Sequence, residues 1–222
     1  MSAKSHQPST GRIEAFSDAV IAILLTIMVL DLRPPGRTMD HDSLAELVSY
    51  LTPKLMVYAL SFAIIAKMWM SHHQLLSATS HSTAPLMWLN NLLLFWMSLI
   101  PFAAGYLSED PDRPLAVATY GTVLLLNALS FTLLRQYVVT RLRRDDHALH
   151  PRLVQFSIVA VILYGLGVLF AYVSVYISFA LFILVPLMFI PTDFYQDKAA
   201  VAGAGGLMTH RNGRPGAGQA CD

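Results

Sequence analysis

Charge is scarce in this chain. Of its 222 residues only 13% are Asp, Glu, Lys or Arg, against 55% hydrophobic ones, whereas a water-soluble domain carries roughly 25% charged residues. So little polar surface cannot coat a globule in water, which excludes a soluble class and points to an all-α polytopic membrane protein. A single cysteine, Cys221, excludes a disulfide framework or a cysteine metal site within one chain. No P-loop, dinucleotide fingerprint or HExxH motif occurs, so no catalytic residue, cofactor or metal site is expected. A net charge of +1 says nothing by itself about nucleic acid, which is not an expected partner; the positions of the charges matter more. The polar segment 1–11 is not expected to be a removable signal, because the apolar stretch behind it is too long and lacks a small-residue cleavage site.

What the chain does have is long apolar runs. A helix rising 1.5 Å per residue needs about 20 residues to cross a hydrocarbon core of about 30 Å. Six spans are expected, at about 13–30, 53–72, 84–106, 114–137, 153–171 and 174–190. Pro34 and Pro35 stop the first, since proline cannot continue a helix. A polar connector follows, with a short helix capped by Asp42 or Ser43. The last two spans come from one run too long for a single crossing, divided near 171–178. Residues 1–192 then form the membrane domain, and the Gly- and Ala-rich 193–222 a disordered cytoplasmic tail. With both termini cytoplasmic, Lys4, Arg12, Lys67, Arg135, Arg141, Arg143, Arg144, Arg152, Lys198, Arg211 and Arg214 lie inside. Only Arg33, Arg37, Lys54 and Arg113 lie outside, a positive-inside bias that suits a multi-pass protein of the cell membrane.

The first span is the informative one. It carries Ser17 and Asp18 at membrane depth, where a carboxylate costs a few kcal/mol and rarely stands without a partner or a pathway. At 100° per residue Phe16, Ile23, Ile27 and Leu30 share one stripe, with Thr26 at its edge and Asp18 about 140° from Ile23. The stripe meets either lipid or a symmetry axis shared by several copies, where apolar rings gate a pore by dewetting. For Asp18, His72, His73, Asn90 and Asn91 of the second and third spans are candidate partners, with Trp69 and Trp88 nearby. Adjacent helical residues point about 100° apart, so at most one of the two histidines is expected to face the acid. Thr119-Tyr120-Gly121 resembles part of a TVGYG filter but lacks its flanking glycine and pore helix, and is assigned to helix packing. Gly165 and Gly167 are expected to allow close packing of the fifth span.

Arg12, then Phe16-Ser17-Asp18, then Ala19 and a Thr26-containing apolar helix resemble the signature of the transmembrane protein 175 family. The stretches with Trp69, His72 and His73, and with Asn90, Asn91 and Pro101-Phe102, resemble that family's second and third helices. The resemblance implies a potassium-permeable channel built as a homotetramer, its pore lined by the first helix of each subunit. It implies Ile23, Ile27 and Leu30 as the apolar constriction and Thr26 as the residue linked to potassium preference. It also implies Arg12, Phe16, Ser17 and Asp18 as the motif tying the first helix to the second and third. Two other classes remain beside this leak-type channel: a proton-coupled transporter relaying through Asp18 and His72 or His73, and a haem or metal protein using His72, His73 and His81.

Overall fold

The computed structural model describes residues 10–32, 44–79, 81–142 and 151–188. The chain divides into a unit of residues 1–186 and a second of 187–222, of which only Leu187 and Met188 are described. The tail, the connector with Asp42 and Ser43, and the basic loop residues Arg143 and Arg144 lie outside the described residues. Regular structure among the described residues is helical: α1 Gly11–Ile27, α2 Leu44–Ser77, α3 Ala84–Ser98, α4 Ile100–Glu109, α5 Pro114–Tyr137, α6 Pro151–Phe170 and α7 Val175–Met188. Four stretches are long and apolar enough to cross a membrane: Gly11–Leu30, Leu44–Ser77, Ala84–Glu109 and Pro114–Leu142. The shorter apolar helices Gln155–Phe170 and Val175–Met188 follow, joined by a turn at 171–173.

Proline and threonine set the helix ends. Thr83 caps α3, its Oγ1 accepting the Leu86 N–H at 3.3 Å, with proline in the first turn where no amide is needed. Pro101 starts α4 in the same way and separates it from α3 at Leu99. Pro53 behaves differently. The second span was expected to begin there, yet α2 runs unbroken through it for 34 residues. Such a helix is roughly 51 Å long, well beyond a hydrocarbon core of about 30 Å. The carbonyl that Pro53 leaves unbonded therefore need not lie in lipid.

Two basic residues at the ends of their spans are buried rather than solvated. Lys54 is buried on α2, paired with Glu109 of α4 at 3.1 Å and set over the Tyr50 ring at 4.9 Å. Arg135 is buried on the last turn of α5, donating to Ser157 of α6 and stacked over Phe131 at 4.6 Å. Pairing and ring contacts let both charges stay inside, where an isolated charge is costly.

The core centres on α5, which packs against α3, α4 and α6. Of its apolar stretch 61% is buried, against 22% for α1. Tyr120 shares a hydrogen bond of 2.9 Å with Ser61 of α2 and meets Phe182 of α7 edge-on, 5.8 Å between centroids. Phe182 fills the space between two glycines: a Cβ on Gly121 or Gly167 would stand 2.5 or 2.3 Å from its ring. Gly165 does not share that duty. A Cβ there would meet only Leu125, at 4.0 Å, so of the two glycines expected to permit close packing only Gly167 is required for it.

Candidate functional site

The residues singled out on α1 separate onto two faces. Ile13, Ser17, Ile21, Leu24 and Met28 are buried against the rest of the chain. Their spacing of three and four keeps them on one side of a helix. The other side is left open: Phe16 is 56% exposed, Ile23 55%, Ile27 45% and Leu30 68%. Arg12 and Thr26 are exposed as well. The Thr26 hydroxyl donates to its own helix, to the Ile23 carbonyl at 2.9 Å. Among the described residues, α1 thus presents a bulky apolar edge that is left largely exposed.

Its inner side is held by two bands of polar contact. In the first, Asn90 of α3 sits between α1 and α2. Its Nδ2 donates to Ser17 Oγ at 2.9 Å, and its Oδ1 accepts from His72 Nε2 at 2.7 Å. Ser17 passes its own proton back to the Ile13 carbonyl at 2.8 Å. All three side chains are buried, so each bond replaces one that lipid cannot supply. The direction of the Asn90 bond fixes the neutral His72 as the tautomer protonated on Nε2. Its Nδ1 is buried and has no partner among the described residues.

The second band joins two four-residue steps. Glu14 and Asp18 lie one turn apart on α1, Trp69 and His73 one turn apart on α2. The Trp69 indole N–H donates to Asp18 Oδ1 at 2.8 Å, and His73 Nδ1 meets Glu14 Oε1 at 2.8 Å. The two helices are stitched at successive turns, because residues i and i+4 share a helix face.

Three expectations need correction. Neither histidine nor either asparagine is Asp18's hydrogen-bond partner; that place belongs to Trp69. The rotation of α2 that brings Trp69 and His73 to α1 turns His72 toward Asn90. Asn91 faces outward and has no partner among the described residues. Of the motif implied to tie the first helix, Ser17 and Asp18 bond to α3 and α2, whereas among the described residues Arg12 and Phe16 face away. Sequence reasoning also missed Glu14, although its spacing from Asp18 was a usable signal.

This is an arrangement of fixed dipoles and two partnered carboxylates, Asp18 with Trp69 and Glu14 with His73. The family model described as endosomal/lysosomal potassium channel TMEM175 matches residues 12–101, the segment that contains both polar bands. A potassium channel of a Chryseobacterium species (strain P1-3) is 33% identical over 193 residues, covering 85% of this chain and 96% of that one. A potassium channel of Streptomyces collinus is 35% identical over 147 residues, covering 64% of this chain and 69% of that one. The crystal structure of a lysosomal potassium-selective channel TMEM175 homologue from Chamaesiphon minutus superposes with a TM-score of 0.73 at 28% identity, over 81% of this chain and 95% of that one. The chain is therefore a membrane protein that belongs to the TMEM175 family of cation channels.

Proposed function

We propose that the chain forms a potassium-permeable, leak-type channel in the cell membrane, with four copies placing α1 around a common pore. One observation carries this reading. The spanning helix least covered by its own chain is also tied to its neighbours by polar bonds, Ser17 to Asn90 of α3 and Asp18 to Trp69 of α2. An apolar edge of Phe16, Ile23, Ile27 and Leu30 left open beside such an anchor suits a surface completed by other copies. Ile23, Ile27 and Leu30 then form stacked apolar rings that narrow and dewet the path. Thr26, one step to the side, offers its hydroxyl oxygen near the constriction. Arg12 and Phe16 stand near its cytoplasmic mouth.

In this reading α6 and α7 are the fifth and sixth spans, both termini are cytoplasmic, and residues 193–222 form a disordered tail. Several copies are needed because one bundle offers no continuous hydrophilic route. In this reading the acid is structural, its Oδ1 accepting from the Trp69 indole N–H that ties α1 to α2.

The test is reconstitution into planar bilayers with potassium on one side and sodium on the other. The expected current persists without a stimulus and reverses close to the potassium equilibrium potential. Substrate-driven, saturable flux with no channel current would refute the proposal.

A further inference from the structure

Among the described residues one group of side chains has the donors for a metal ion. Glu14, Asp18 and His73 each offer a ligand atom within 4.8 Å of the other two. This is more than a local excess of acid, because an imidazole from α2 closes a pair of carboxylates on α1. We infer that these three residues form a binding site for a divalent transition-metal ion of the zinc class.

The chemistry fits in four respects. Two carboxylates and one neutral imidazole balance a charge of +2 and leave one position of a tetrahedral ion for water. Bonds of about 2.0–2.2 Å place tetrahedral ligands roughly 3.4 Å apart. Glu14 and His73, at 2.8 Å, need only open slightly, and Asp18 needs to close in by a side-chain rotation. Asp18 is oriented from behind by the Trp69 N–H on Oδ1, the kind of support that metal-bound carboxylates receive, and its second oxygen remains for the ion. His73 is half-exposed and Glu14 a quarter exposed within the single chain, so neither ligand is sealed in by its own subunit.

A separate observation lies beside the cluster. His72, with Nε2–H committed to Asn90, keeps a fully buried Nδ1 lone pair with no partner among the described residues. His72 adjoins His73 on α2, and an ion-bound water that reached this nitrogen would supply the donor it lacks. Magnesium is not expected there, since it prefers an all-oxygen octahedron.

The ion would clasp α1 to α2, whatever the pore does. Calorimetric titration of zinc chloride into chelator-treated, tag-free full-length protein in detergent at neutral pH tests it. One zinc per chain is expected, with a higher melting temperature. His73→Gln and Glu14→Gln should each weaken binding at least tenfold, His81→Gln should leave it unchanged, and magnesium should give no heat. Cobalt(II) added to the unaltered protein keeps the test sharp should a variant misfold. Intense visible bands of a four- or five-coordinate ion, abolished by zinc, support the site. The faint spectrum of the hydrated ion, or zinc binding undiminished in His73→Gln and Glu14→Gln, overturns it.

Discussion

Ile23→Ala is expected to lower the potassium-over-sodium permeability ratio toward one and to raise conductance, with little loss of thermal stability. The two halves of that result come from one geometry. Ile23 is 55% exposed within its own chain, so truncating it removes few contacts there. If its side chain narrows a shared path, losing three carbons per copy widens the ring and lets partly hydrated sodium through. A tenfold fall in the ratio corresponds to about 1.4 kcal/mol of difference between two barriers. Ile27→Ala should act in the same direction. Ile21→Ala supplies the contrast. That side chain is 1% exposed, and a buried isoleucine cut to alanine costs about 2–5 kcal/mol through lost contacts and a cavity. It should therefore lower the melting temperature without the selectivity change seen for Ile23→Ala. Reversal potentials and thermal unfolding of the same preparations separate the two.

Asn90→Leu is expected to weaken the channel by loosening α1 from α2 and α3. Leucine has nearly the same volume, so the loss is one of hydrogen bonding. The His72 Nε2–H would keep no acceptor and Ser17 Oγ would lose a donor, both in buried positions. A buried group left unsatisfied costs about 1–3 kcal/mol in water-soluble proteins. Hydrogen bonds between membrane helices average nearer about 0.6 kcal/mol, because the unfolded reference also finds partners. A net loss of about 2 kcal/mol is expected, read as a melting temperature several degrees lower in detergent. Asn91→Leu, one residue along but facing outward, should leave that temperature where it is. Equal stability of Asn90→Leu and the parent would contradict the role given to the buried band.

Some of this was legible in the chain and some was not, for reasons that can be named. The two faces of α1 follow from periodicity, because a regular helix fixes the angle between Asp18 and Ile23 whatever surrounds it. The partner of Asp18 does not follow, because it depends on how α2 is rotated about its own axis. That rotation is set by packing against α4 and α1, and a change of about 100° exchanges His72 for His73. Asn90 and Asn91 present the same ambiguity. The burial of Lys54 and Arg135 was hidden for another reason. A basic residue near a predicted helix end reads as solvated by charge alone, and only tertiary partners reveal that Glu109, Ser157 and the Tyr50 and Phe131 rings hold these two inside. The duty of Gly167 against Phe182, from which Gly165 is free, belongs likewise to packing across helices. Family resemblance supplied what periodicity could not, a reason to prefer a shared axis to lipid for the open stripe.

Cross-linking at Ile23 tests that preference most directly. Cys221 is the sole cysteine, so Cys221→Ser gives a clean background for Ile23→Cys. A disulfide forms only where two Cα atoms approach to about 4.4–6.8 Å, a separation that equivalent residues of different copies meet only near a narrow shared axis. Mild oxidation in membranes is predicted to give covalently linked pairs of chains with Ile23→Cys and none with Ile21→Cys, together with a loss of potassium current that reductant restores. Failure of Ile23→Cys to cross-link, with its thiol instead quenched by lipid-dissolved probes, would place the stripe in the bilayer and contradict the account.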